Sequence, residues 1–187
     1  IAFILSFMID YAPSAKFLPV LHDILDAAKE EGESSKAKDA LDLTCELTKL
    51  IFNNCMTLGK LYLISPDILG VLLVGSGNAN IEIAKSCHAA SLLVAQSVKM
   101  SLVTVSLTDG NLLLPPLADN KLIQILQGQT NHSSWHVRET IMMCTSGFMM
   151  NNWHSINAED RKICKDIFTT GFLDTKPEIQ QLARAGI

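Results

Sequence analysis

Three groups of residues in this sequence are of types that carry chemistry: the cysteines, the histidines and one glycine-rich turn. The cysteines, Cys45, Cys55, Cys87, Cys144 and Cys164, are odd in number, far apart and never spaced as C-x-x-C. A zinc site needs three or four thiolate, imidazole or carboxylate ligands converging on one point. Only Cys87 beside His88, and His132 near His136, approach that requirement. Adjacent residues on a helix point about 100° apart, so Cys87 and His88 diverge, and no further ligands join either pair. No metal site is expected. Thiols among apolar helical neighbours behave as small hydrophobes, and the unpaired count reads as a reducing compartment, cytosol or nucleus.

Val74-Gly75-Ser76-Gly77-Asn78-Ala79-Asn80 follows an apolar run and precedes a helix, the setting of a dinucleotide-binding turn. Asn80 stands where that motif needs its third glycine, and no βαβ unit surrounds it. The sequence therefore predicts a plain glycine turn between helices. The serines lack a G-x-S-x-G elbow, no Cys/His/Asn set has a supporting context, and no carboxylate pair stands apart from ordinary helix faces. Neither an enzyme nor a bound cofactor is expected. The acidic set Asp23, Asp26, Glu30, Glu31 and Glu33 reads as a solvated face and loop, with a contact surface for a basic partner as the alternative. Fifteen basic against nineteen acidic residues give a net charge of -4, so no general attraction draws the chain to nucleic acid.

The elements that must position these residues are helices. The chain is 48% hydrophobic and only 18% charged, which suits helices packed on two sides by neighbours. Residues 14–30 carry Phe17, Leu18, Leu21, Ile24, Leu25 and Ala28 at helical spacing, after Pro13 and Ser14 as start signals. Residues 37–57 form a second long helix with Ala40, Leu43, Leu47, Leu50, Ile51 and Asn54 along one face, broken by Gly59. Ser65-Pro66-Asp67 opens a short helix through Val74, with Pro66 suited to a first turn. Residues 80–105 form a third long helix with small residues at Ala84, Cys87, Ala89, Ala90 and Ser91.

Thr108-Asp109-Gly110-Asn111 and Pro115-Pro116 mark the longest irregular connection, and Leu102–Leu107 is the one β-like stretch. A helix from about Asp119 to Gln127 follows, then a polar loop from Gly128 to His132. Ser133 or Ser134 caps a helix running to about Asn152. Asn157 caps Ala158–Thr170, with Glu159 and Asp160 in the first turn where the helix dipole favours acids. Gly171 closes that helix, and Asp174 to Glu178 start another. The opening Ile1–Ile9 run, ended by Asp10, is too short to cross a bilayer and reads as the end of a buried helix. Both termini interrupt a helical pattern, as in a piece cut from a longer chain.

A weak repeat runs through these helices. Ile83 with Cys87, Val137 with Ile141, and Ile179 with Ala183 each follow a polar turn by the same offset, at separations of 54 and 42 residues. Helical-pair repeats of the HEAT and armadillo kind are roughly 40–47 residues long. The longer interval contains the Asp109–Pro116 insertion. The expected fold is thus all-α, an α-α superhelix of antiparallel helix pairs over residues 1–187, with its best-defined repeats in 133–187.

Residues 133–185 carry the most information. They read Ser133-Ser134-Trp135-His136-Val137-Arg138, then Asn151-Asn152, then Asn157-Ala158-Glu159-Asp160, then Leu173-Asp174, then Glu178-Ile179-Gln180-Gln181-Leu182-Ala183. Trp135 and Arg138, three apart, share a helix face and can anchor one helix on the next. This ordered set resembles the C-terminal HEAT-like region of the large single-chain proteasome activators. The family pattern is a tryptophan-histidine-x-arginine helix start, a helix ending near an asparagine, an N-x-E-D turn, and a leucine-x-D before a new repeat.

The resemblance implies a non-enzymatic solenoid that caps the 20S proteasome core and favours opening of its gate without ATP hydrolysis, in cytoplasm and nucleus. The family docks through its extreme C-terminus, so the resemblance implies that residues 1–187 supply wall and curvature and not the gate-opening tail. The resemblance also implies acetyl-lysine recognition on histones by paired asparagines. Asn157 matches the first, and Ala158 stands at the second. An asparagine amide can donate to an acetyl carbonyl, whereas the residue's position alone reads as an N-cap. An unrelated HEAT or armadillo scaffold, such as a transport receptor or assembly platform, is the alternative. No membrane partner is expected.

Overall fold

The computed structural model describes residues 1–30, 35–54, 58–98 and 120–186, and among the described residues every regular element is a helix. In chain order they are α1 (Ala2–Tyr11), α2 (Ser14–Lys29), α3 (Ser35–Asn54), α4 (Leu58–Gly75), α5 (Ile81–Ser97), α6 (Lys121–Gly128), α7 (Trp135–Asn152), α8 (Ala158–Phe172) and α9 (Pro177–Ala185).

Their packing alternates along the chain. In one layer α1 lies on α3, α3 on α5, α5 on α7 and α7 on α9; in the other, α2 lies on α4, α4 on α6 and α6 on α8. Chain neighbours α2–α3, α4–α5 and α8–α9 close the layers on each other. This is a two-layer stack of helix pairs, an all-α helical-repeat fold in which each pair covers the apolar face of the next. One continuous core runs through it, from Leu5 and Phe17 past Leu47, Leu72 and Val94 to Phe148, Phe168 and Ile179.

The repeat read from the sequence falls on one layer. Ile83 and Cys87 lie on α5, Val137 and Ile141 on α7, Ile179 and Ala183 on α9, and all six are buried. The first of each pair stands three residues after the N-cap, which is Asn80, Ser134 or Lys176. Buried Ala37 and Leu41 occupy the corresponding place on α3, a fourth member that the sequence hides because alanine carries little apolar signal.

Several expected boundaries move. Pro66 does not open a helix: α4 begins at Leu58, includes Gly59, and runs through Pro66. A mid-helix proline removes one backbone donor. Here the neighbouring Ser65 hydroxyl donates to the Leu61 carbonyl, and Ile64, Ser65, Ile68, Leu69 and Leu72 are all wholly buried. Packing on both sides outweighs the local break. The third long helix stops at Ser97 rather than 105, with Val98 as its C-cap. Leu102–Leu107, Thr108–Asn111, Pro115-Pro116, Asp119, Cys55, Glu31 and Glu33 lie outside the described residues. Of the remaining acidic set, Asp26 pairs with Lys29 at 3.0 Å and Glu30 with Lys36 at 3.2 Å.

The Gly75–Asn80 segment is the turn between α4 and α5. Its glycines serve close approach: a Cβ on Gly75 would stand 2.6 Å from Cys87 Sγ, and one on Gly77 would stand 2.8 Å from Val137 Cγ2. Asn78 and Asn80 accept from the backbone N–H groups of Asn80 and Glu82, at 2.8 and 3.0 Å.

Candidate functional site

Of the residues singled out between 133 and 185, Trp135, Arg138 and Asp174 are gathered where the α6–α7 loop, the start of α7 and the α8–α9 turn meet. Asp174, in that turn, is held at a fixed height by its own chain: its carboxylate accepts from Lys176 N at 2.9 Å, and its carbonyl accepts from Gln180 Nε2 at 2.7 Å. Arg138, in the first turn of α7, reaches it with two parallel bonds, Nε to Oδ2 at 2.6 Å and Nη2 to Oδ1 at 3.1 Å. The remaining arm, Nη1, donates to the carbonyls of His132 at 2.7 Å and Ser133 at 3.0 Å. The guanidinium thus ties three chain segments together. A planar fork with donors on two edges is the group whose geometry matches a carboxylate bidentately.

The pair is largely out of solvent, with side-chain exposures of 15% for Arg138 and 8% for Asp174. The Arg138 guanidinium holds the Asp174 carboxyl below the usual carboxylate range, and the bonds from the backbone N–H groups of Lys176 and Thr175 act in the same direction. Trp135 completes the arrangement. Its half-buried indole stacks on His136 with ring centroids 3.7 Å apart, and Lys176 Nζ sits 5.6 Å from its centre. Trp135 and Arg138 therefore act on the same turn from one face of α7, by cation–π contact and by ion pairing. A shallow cleft of about 500 Å³ opens beside them, floored by Met142 and Gly171. A Cβ on Gly171 would lie 2.6 Å from Met142 Sδ and 3.0 Å from Ala183 Cβ, so this glycine lets α8 approach both α7 and α9.

Asn157 is not part of this cluster. It lies at the opposite end of α8 from Asp174, roughly 22 Å of helix away. Its Oδ1 accepts from Asp160 N at 2.7 Å, and its Nδ2 donates to Asp160 Oδ2 at 3.2 Å. Both halves of the amide are engaged in capping α8, and the residue lines neither this cleft nor the larger one between α2 and α5.

The histidines and cysteines separate as their spacing requires. Cys87 faces Cys45, while His88 Nδ1 meets Thr140 Oγ1 at 2.8 Å across the α5–α7 contact. Because the Thr140 hydroxyl donates to the His136 carbonyl, the imidazole is the donor in that contact, and burial pushes the His88 pKa down. Among the described residues no group of three or more histidine, cysteine or acidic side chains is placed to hold a metal, and no helix is long and apolar enough to cross a membrane.

One pair of functional side chains has no clear sequence signal beyond its place at a helix end. Asn151 Nδ2 donates to the Gln96 carbonyl at 2.9 Å, and Asn152 Nδ2 to the Val98 carbonyl at 2.8 Å. Those carbonyls belong to the last turn and cap of α5, where helical partners run out. The asparagines at the end of α7 thus cap the helix stacked beneath it. Asn152 is wholly buried and also bonds the Phe148 carbonyl. Replacing Asn152 with alanine strips the Val98 carbonyl of its donor, and a loss of about 1–3 kcal/mol in unfolding free energy is expected in urea denaturation. An unchanged midpoint would mean that water replaces the amide.

Fold and clamp together define the chain as an all-α helical-repeat protein in which a polar latch joins successive pairs. No protein family, curated protein or solved structure matches it.

Proposed function

We propose that this chain is a non-enzymatic wall segment of a HEAT-repeat proteasome activator, a solenoid that caps the 20S core particle and promotes ATP-independent gate opening in cytoplasm and nucleus. One observation carries the reading. The residues that give 133–185 its likeness to that family, Trp135, Arg138 and Asp174, are the ones that lock the α8–α9 turn onto the start of α7. A motif whose members fix the spacing of successive repeats is what a curved wall has to preserve.

The test is co-sedimentation of the longer protein carrying this segment with 20S core particles, with peptide hydrolysis as readout. Binding with accelerated hydrolysis and no ATP is the expected result. No association at low salt would leave an unrelated HEAT or armadillo scaffold, of the transport-receptor or assembly-platform kind.

The same family likeness extends the proposal to acetylated histones through Asn157. An acetyl carbonyl would need the Asn157 Nδ2 that now donates to Asp160. Tighter binding of acetylated than unmodified histone peptides, lost in Asn157→Ala, is the outcome this extension requires. Equal affinities would end it.

A further inference from the structure

We propose that Cys45 and Cys87 form a reversible redox site, a disulfide that hydrogen peroxide closes between α3 and α5. The two sulfurs face each other 3.5 Å apart across the contact between these same-layer helices, with residue exposures of 3% and 0%. A disulfide requires an approach of about 1.5 Å more.

The buried pair lies close to a cleft. The backbone of Gly75 lies directly over Cys87, since a Cβ there would meet Sγ at 2.6 Å. Gly75, Leu41 and Ile83 also line a cleft of about 850 Å³ between α2, α3, α4 and α5. Cys87 Sγ thus packs against a residue that lines the cleft, the side from which an oxidant as small as peroxide would approach.

The chemistry balances with peroxide alone. Either thiol can donate to the other, and with the Cys87 S–H as donor the thiolate form is favoured on Cys45. Its sulfur takes one peroxide oxygen to give a sulfenic acid, and the other oxygen leaves as water. The Cys87 sulfur then attacks the Cys45 sulfur; the S–O bond breaks and a second water departs. Two thiols and one peroxide become one disulfide and two waters. The bond spans a sequence separation of 42 residues that includes α4, and it clamps two stacked repeats together. Cys144 and Cys164 serve as internal controls: both are buried, and burial with the nearby Asp160 charge pushes the Cys164 thiol up to about 12.

The experiment treats the whole folded chain with a small excess of hydrogen peroxide, quenches with catalase, alkylates in denaturant and maps the peptides. The expected product is two hydrogens lighter, carries a Cys45–Cys87 linked peptide, returns to the thiol form with dithiothreitol, and unfolds at a higher temperature than the reduced protein. Cys87→Ala should lose both the linkage and the shift, and the wild-type map stands even where that variant folds poorly. Full alkylation of Cys45 and Cys87, linkage through Cys55 instead, or linkage only when denaturant is present during oxidation would each overturn the proposal.

Discussion

Replacing Arg138 with alanine is expected to lower the unfolding free energy by about 2–4 kcal/mol, as is replacing Asp174 with alanine. Stripping one partner from a buried ion pair leaves the other charge desolvated without compensation, a loss of about 3–5 kcal/mol in fully buried cases. The pair here sits at the edge of the stack with 15% and 8% of its side chains exposed, so some water reaches the survivor and the cost is lower. Arg138→Ala also releases the carbonyls of His132 and Ser133, and should be the more damaging of the two. The double variant should cost less than both single changes added together, with a coupling of about 1–3 kcal/mol in urea denaturation. Arg138→Lys should recover little, because an ammonium cannot span both carboxylate oxygens and the loop carbonyls at once. Strict additivity would mean that the two side chains act independently.

The same pair sets part of the response to acid. The folded-state pKa of Asp174 is depressed by Arg138 from its ordinary value of 3.8. Its stabilisation is therefore complete above that value and is lost as pH falls through the lower folded value. His88 is depressed as well, chiefly by burial, from an ordinary value of 6.5. The unfolded chain takes up that proton first, so stability begins to fall below about pH 6.5. Asp174→Asn should flatten the acidic limb and leave the decline that begins below about pH 6.5 in place. Loss of both limbs together would show that the histidine contribution depends on the ion pair.

The largest single core effect is expected at Phe168. Its ring is wholly buried in α8, and the residue after α9 packs on it so closely that a Cβ on Gly186 would lie 2.2 Å from Cε1. Phe168→Ala removes the ring between α8 and α9, and neither helix can collapse into the gap, because Gly171 already brings α8 against Met142 and Ala183. A loss of about 3–5 kcal/mol is expected from the transfer and cavity terms together. Hydrogen exchange should locate it, with protection falling first in α9, the nine-residue helix that rests on α8 and α7. Uniform loss of protection from α1 to α9 would instead mean that the stack unfolds as one unit.

What the sequence determined by itself is the part governed by neighbours a few residues apart. The helical class follows from apolar spacing along each segment, and Asn157 is readable as a cap because its amide has only to reach Asp160, three residues on. Trp135 and Arg138 are readable as partners on one face for the same reason. The repeat was legible where a β-branched residue marked it, at Ile83, Val137 and Ile179, and silent at Ala37. Tertiary structure decided the rest. Arg138 meets Asp174 across 36 residues, Asn152 meets Val98 across 54, and Cys45 meets Cys87 across 42. No local pattern encodes such pairs, because they depend on which helix lies on which and how far each is rotated. Pro66 makes the same point in reverse. Its local chemistry asks for a helix start, yet α4 runs through it, because burying Ile64, Ile68, Leu69 and Leu72 between both layers outweighs one missing backbone hydrogen bond.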